Sequence, residues 1–397
     1  MFVQTLDRKM TADVKGENME TKKKKHILRN IMICFLIILL TVGIGIRLFL
    51  NKLNVKYEEL PEEPVIGQWY RVSPEGASSS DGSEWHGLFR KGSENKVFIF
   101  FYGGGVSFNE KTSWNKPDRF YTPDMALQDA FAGIGITTAD EQNPFKDWTF
   151  LAVEYSTGDF HCGTNKLQLE ADGEKKTVYH NGYNNYTGFM KMVIPYIGEP
   201  ETLVISGSSA GGFATALLSD DIITNYFPET KNITSCVDSS LLYYDSWKWT
   251  AENIWKSPEE ISNKLVGDNL VLDSLIDLEN KHTDVKILFT CSNRDDALQS
   301  YQAYIDDGKM GTGKEYSNKF QQGLKKMVLD MQENLNNPGF YIFEYGLKED
   351  TTSTQHQILP GNVFDKLSGD KSAAEWLMDA VDGNIVSYGL DLLDKEY

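Results

Sequence analysis

The run Leu203-Val204-Ile205-Ser206, the turn Gly207-Ser208-Ser209-Ala210-Gly211 and the stretch Gly212-Phe213-Ala214-Thr215-Ala216-Leu217-Leu218 follow one another without a break. A short apolar run, a serine flanked by glycines and an alanine- and leucine-rich segment predict strand, sharp turn and helix, with Ser209 at the apex. A turn of that kind crowds ordinary side chains, so the positions two before and two after the serine must be small, and Gly207 and Gly211 stand there. The five-residue pattern is weakly specific in a chain with 33 glycines. The strand before it and the helix after it give it weight, and they make Ser209 a candidate nucleophile.

Other apolar runs extend the pattern. Val97 to Tyr102 ends in Gly103-Gly104-Gly105, and Phe150 to Tyr155 ends in Thr157-Gly158-Asp159. Val285 to Phe289 leads into Asn293-Arg294-Asp295-Asp296, and Phe340 to Tyr345 precedes a polar loop holding His356. Short continuous apolar strands separated by helical stretches predict an α/β fold, with a mostly parallel sheet covered by helices on both faces. Between the last two strands Phe320, Leu324, Met327, Val328, Met331 and Leu335 recur at helical spacing and read as a core-facing stripe. Ser235-Cys236-Val237 reads as an apolar turn ahead of Asp238. The aromatic-rich stretch from Tyr243 to Leu278 reads as an insertion over the site.

The N-terminus differs from the rest. Residues 31–50 hold an uncharged run from Ile31 to Ile46, extended past Arg47 by Leu48-Phe49-Leu50. Twenty helical residues rise about 30 Å, one hydrocarbon thickness. Lys22 to Lys25 and Arg29 precede the run, while Glu58, Glu59, Glu62 and Glu63 follow it. This predicts a cytoplasmic basic segment over 1–30, one transmembrane signal anchor over 31–50, an acidic linker over 51–66 and an extracytoplasmic catalytic domain over 67–397. No small-residue cleavage site is evident after the run, which favours an anchor over a removed leader; cleavage would give a secreted protein. The whole chain carries −18; the first 60 residues hold 11 of its 39 basic and 6 of its 57 acidic residues, so the remainder carries −23. Such a surface argues against nucleic acid as a partner. Beyond Cys34 the chain has three cysteines, Cys162, Cys236 and Cys291, without zinc spacing. No disulfide is expected among them.

An activated serine needs a base, an orienting acid and an oxyanion hole. His356 follows the last clear strand and comes after the serine in the chain, whereas His86, His161 and His180 precede Ser209 and His282 lies ahead of a strand. Chain order places the acid at Asp295 or Asp296, in preference to Asp238. The glycines after the early strand allow backbone N–H groups to approach an oxyanion, so Gly104 and Gly105, with the N–H of Ala210, are the candidate donors.

These segments resemble the pectin acetylesterase family, which includes the Notum-type carboxylesterases. Tyr102-Gly103-Gly104-Gly105 is similar to its glycine turn, Tyr155-Ser156-Thr157-Gly158-Asp159-Phe160-His161 to its Tyr-Cys-x-Gly-Asp-x-His segment, and His180-Asn181-Gly182-Tyr183-Asn184-Asn185 to its His-x-Gly-x-x-Asn stretch. Gly207 to Gly212 resembles its Gly-x-Ser-Ala-Gly-Gly, and Asp296-Ala297-Leu298-Gln299 its Asp-x-x-Gln. The resemblance implies an α/β-hydrolase fold and a Ser209, Asp296, His356 triad with Gly104, Gly105 and Ala210 as oxyanion hole. It also implies hydrolysis of a carboxylic ester, commonly an acetyl group on carbohydrate, without cofactor or metal. Lipid or acyl-protein esters, or a catalytically silent carbohydrate-binding role, are the alternatives. Serine stands at 107 and 156 and glutamine at 357, where the family often has cysteine, and Val106 replaces a frequent aromatic after the glycine turn.

Overall fold

The computed structural model describes residues 56–125, 129, 132–171 and 173–397. The expected basic segment over 1–30, the anchor over 31–50 and the first five residues of the linker lie outside the described residues. Among the described residues no helix is long and apolar enough to cross a membrane.

The elbow element forms as expected from its sequence. β8 (Thr202–Ser208) is buried at every position and runs through Ser209 into α2 (Ala210–Tyr226). The first ten residues of α2 are all buried, which a helix pressed against a sheet permits only with small side chains, here two glycines and three alanines. The other helices named below are α1 (Gly182–Val193), α3 (Leu270–Lys281), α4 (Asp296–Asp307), α5 (Lys314–Asn334) and α6 (Ala373–Val381). The stripe from Phe320 to Met331 is the buried face of α5, and Leu335 caps it.

Nine strands make the main sheet: β1 (Glu58–Glu59), β2 (Trp69–Val72), β3 (Gly87–Arg90), β4 (Lys96–Phe101), β5 (Thr149–Val153), β8, β9 (Asn232–Asp238), β10 (Lys286–Ser292) and β11 (Gly339–Phe343), in the order β1-β2-β3-β5-β4-β8-β9-β10-β11. From β5 to β11 all pairs are parallel; β3 is antiparallel to both its neighbours. β6 (Asn165–Ala171) and β7 (Glu174–His180) form a separate hairpin. The molecule is thus a mixed α/β fold with a mainly parallel sheet.

Two sequence expectations are corrected. Ser235-Cys236-Val237 is not a turn but the buried centre of β9, paired on one side with β8 and on the other with β10. Its adjacent hydroxyl residues Thr234 and Ser235 conceal a strand buried on both faces: Ser235 Oγ meets Ser219 Oγ at 3.1 Å, so that hydroxyl finds its partner inside. The acidic linker also ends early. Glu58 and Glu59 pair with Tyr70 and Arg71, and Tyr57 Oη donates to the Asp129 carbonyl at 3.2 Å. Residues 56–397 form one compact unit.

Parallel pairing fixes where a site can lie. After β4 the chain builds β5 on one side, then returns to place β8 on the other, so the connections diverge between β4 and β8. Ligands of open parallel sheets sit at such a point, beyond the carboxyl ends of the strands. The glycine turn ends β4, Ser209 ends β8, Asp238 ends β9, Asp295 follows β10 and the His356 loop follows β11.

Candidate active site

Ser209 occupies a backbone conformation that side chains rarely adopt, φ 55° and ψ −125°. It is held there from both sides: its N–H donates to the Asp238 carbonyl at 2.9 Å, and its own carbonyl accepts from Ser240 Oγ at 2.7 Å and from the N–H of Gly212 and Phe213. Strain of this sort persists only when surroundings over-determine it. The flanking glycines are there for space. A Cβ at Gly211 would lie 1.8 Å from the Phe101 carbonyl oxygen, and one at Gly207 would lie 2.4 Å from that of Gly211. Gly103 is equally confined, since a Cβ there would meet Ser209 Cβ at 2.8 Å.

A cavity of about 240 Å³ opens beside this turn, lined by Tyr102, Gly103, Gly104, Thr122, Ser208, Gln355, His356, Gln357, Pro360 and Gly361. Gly104 borders it. Gly105 adopts φ +89°, and a Cβ there would lie 2.1 Å from the Phe120 carbonyl oxygen. The loop is pinned by Val106 N–H to Phe120 O and Thr122 N–H to Gly104 O, both 2.9 Å, while Tyr155 Oη donates to the Gly105 carbonyl. Ala210 is the first residue of α2, so its N–H belongs to the unpaired first turn, where the helix dipole favours negative charge.

The histidine is placed by two loops zipped together. Thr354 N–H donates to Arg294 O at 2.9 Å and Asp296 N–H to Thr354 O at 3.0 Å, and Arg294 Nε donates to Thr352 O at 2.6 Å. Two residues beyond Thr354, His356 turns its ring to Asp295, with Nδ1–H donating to Oδ2 at 2.6 Å. Asp295 is fully buried and the His356 side chain is 16% exposed. The carboxylate can only accept, so the proton lies on Nδ1 and Nε2 of the neutral ring is left with a lone pair. Burial lowers the tendency of His356 to protonate, but the charge and hydrogen bond of Asp295, with Asp238 and Asp296 behind, outweigh it and raise its pKa above the ordinary 6.5.

Asp295, and not Asp296, the acid expected from the resemblance, is therefore the aspartate that faces His356. Asp296 is the first residue of α4 and its carboxylate is bound to Lys348 Nζ at 2.7 Å. Asp295 is the helix N-cap: Oδ1 accepts from the N–H of Ala297 and Leu298, and this fixes Oδ2 toward the histidine. The capping preference of aspartate ahead of a helix was the signal that would have separated the two. The remaining described histidines serve elsewhere. His86 pairs with Asp129 at 2.7 Å and His282 with Asp220 at 2.9 Å.

Sequence reasoning missed a supporting layer behind the glycine turn. Asp159 is buried; its carboxylate accepts from Thr157 Oγ1, His161 N–H and Gly182 N–H. Burial raises it to about 6 against these bonds. His161 Nε2–H donates to the Tyr102 carbonyl at 2.9 Å, just ahead of the turn, and His180 Nδ1–H donates to Thr157 O at 3.0 Å. Burial holds both histidines down at about 4. None of residues 243–278 lines the cavity: Trp247 and Trp255 are fully buried against Phe160, which stacks on Phe213 at 4.2 Å. Cys162, Cys236 and Cys291 are buried and free. Ser156, at a position where cysteine is frequent, donates to Ser79 Oγ at 2.9 Å, and Ser107 meets Ser113 at 2.5 Å. Among the described residues no group of three or more His, Cys, Asp or Glu side chains is gathered for a metal.

Comparison with known proteins agrees with this architecture. The family model for pectinacetylesterase matches residues 70–272. Two crystal forms of the Wnt deacylase Notum from Drosophila superpose with TM-scores of 0.57 and 0.55 at 15% identity, covering 80% of this chain and 94% of theirs. At that identity the likeness speaks to the fold. No curated relative matches by sequence.

Proposed function

The chain belongs to the pectinacetylesterase family, and from that premise we propose that it is a serine carboxylesterase of α/β-hydrolase type, tethered outside the cytoplasm by residues 31–50, that removes short acyl groups such as acetyl from carbohydrate. The observation that carries the reading is the coincidence, at the carboxyl edge of one parallel sheet, of a strained Ser209 and a buried His356–Asp295 pair beside one cavity.

In the proposed reaction His356 Nε2 takes the Ser209 Oγ proton as Oγ bonds to the ester carbonyl carbon. Asp295 holds the imidazolium that results. The tetrahedral oxyanion accepts from the backbone N–H groups of Ala210, Gly104 and Gly105, and removing one such donor typically costs about 100- to 1,000-fold in turnover. Collapse breaks the bond to the alcohol oxygen, which leaves with the His356 proton. Water then gives a proton to His356 and attacks the acyl carbon; the acyl–Oγ bond breaks, Ser209 Oγ takes the proton back from His356, and the acid leaves as its carboxylate.

The choice of a short acyl group rests on the cavity. At about 240 Å³ it is smaller than the roughly 300 Å³ at which drug-sized pockets begin, and Thr122, Gln355 and Gln357 give it a polar wall. The aromatics nearby are packed against one another rather than around a void. The test is hydrolysis of aryl esters of increasing chain length by wild type and Ser209→Ala. Hydrolysis that falls steeply for esters beyond butyrate and vanishes in the variant is expected; a preference for long acyl chains, or hydrolysis unchanged by the variant, contradicts it.

A further inference from the structure

Asp238 is fully buried at the end of β9 and lies outside the histidine–acid pair, yet its atoms reach both halves of the site. Its main-chain carbonyl accepts the N–H of Ser209. Its Oδ2 accepts the N–H of Ile358 at 3.1 Å and of Leu359 at 3.0 Å, the second and third residues after His356. Its Oδ1 accepts from Ser239 Oγ at 2.9 Å, and that hydroxyl oxygen accepts the Gln357 N–H at 3.2 Å. Ser240 completes the clamp by donating to the Ser209 carbonyl. Three consecutive residues thus grip the nucleophile's peptide groups on one side and residues 357–359 on the other. The adjoining strand steadies them, since Ser239 N–H donates to Thr290 O at 2.8 Å.

We propose that Asp238 is a positioning residue that fixes the histidine loop to the elbow and so sets the alignment of His356 with Ser209. The proposal rests on the esterase reading. Asp295 orients the imidazole ring, whereas Asp238 holds the backbone from which that ring is carried. A buried carboxylate accepting three donors is a costly choice for a mere loop anchor, because a hydroxyl or amide would bury with less penalty. Burial indeed raises Asp238 to about 6, against its bonds to Leu359, Ile358 and Ser239 and the charge of His356. The titratable groups that face it are His356 from the loop, Cys236 on its own strand and Cys291 on β10, and burial pushes both thiols far up, so they stay neutral. Above pH 6 the Asp238 charge also contributes to the raised pKa of His356.

The test uses the full-length protein in detergent with Asp238→Asn, which keeps the shape and two of the acceptor contacts while removing the charge. The expected result is a loss in kcat/KM of about 100-fold, the cost of misplacement by roughly an ångström. It should be carried by kcat with KM little changed, and the acid limb of the profile should move to lower pH. A variant as active as wild type, or one that melts lower but keeps both its turnover and the wild-type acid limb, overturns the proposal. Should Asp238→Asn fail to fold, Ser239→Ala removes only the hydroxyl that joins the carboxylate to Gln357; a kcat reduced about tenfold supports the clamp, and an unchanged kcat overturns it. Wild type that neither hydrolyses an acetyl ester nor reacts at Ser209 would instead defeat the esterase reading, which separates the two failures.

Discussion

At the scale of single residues, the acid is the sharpest point. Asp295 and Asp296 are neighbours in sequence, but one caps α4 and faces His356 while the other faces Lys348. Asp295→Asn should keep the cap and lose the charge and tautomer control on the ring, costing about 10⁴-fold in kcat. Asp296→Asn should stay within about twofold, as for a surface change. Steady-state kinetics on the two variants reads the difference directly. Because His356 must be neutral to act as base, and its partners raise its pKa above 6.5, activity should fall as pH drops through a midpoint above that value. Replacing Asp295 by Asn should move the midpoint down. Ser209, His356 and the glycines were legible because each depends on a local turn or on chain order. Choosing between two adjacent aspartates depends on which one ends a loop and which one starts a helix, and a four-residue resemblance does not carry that distinction.

At the scale of elements, five of the six strands in the parallel block announce themselves as apolar runs, and β9 does not. Its Thr234 and Ser235 are buried inside the sheet, where Ser235 pairs with Ser219 on the neighbouring helix, a pairing that no single stretch of sequence displays. The elbow depends on the closeness of β4 to α2, which makes Gly211 the most exacting position. Gly211→Ala would set a methyl group 1.8 Å from the Phe101 carbonyl oxygen. With backbone on both sides there is no side chain to swing away, so the loss should reach or exceed about 3 kcal/mol, the upper part of the overpacking range. Thermal melting of that variant checks it; a Tm within a degree or two of wild type would mean that the strand and helix can separate at no cost.

At the scale of the whole molecule, the mainly parallel character of the sheet was readable, while its strand order, the antiparallel β3 and the start of the folded unit were not. Glu58 and Glu59 look like part of an acidic linker by composition and become an edge strand only because β2 offers a free parallel edge. A soluble fragment should therefore begin no later than Lys56. Buried titratable groups also set the response of the fold to acid. His161 and His180, held at about 4, stay neutral in the folded state while the unfolded chain takes up protons below about 6.5, so their contribution to stability is lost as pH falls from 6.5 toward 4. Asp159 and Asp238, raised to about 6, act in the opposite sense: the folded state takes up their protons first, so stability is gained as pH falls through 6 toward 3.8. Removing one histidine exposes its share. In His180→Gln the stability deficit relative to wild type should narrow by about 2 kcal/mol between pH 7 and pH 5, measured by urea unfolding at the two pH values; a deficit that stays constant or widens contradicts the assignment.

The central claim is that Ser209 is an activated nucleophile, and intact-mass detection of a fluorophosphonate adduct tests it most directly, on the Lys56–Tyr397 fragment with Ser209→Ala alongside. One adduct per chain on the folded wild type and none on the variant is the expected result. An unlabelled wild type that is shown to be folded, or an adduct that survives the substitution, would contradict it.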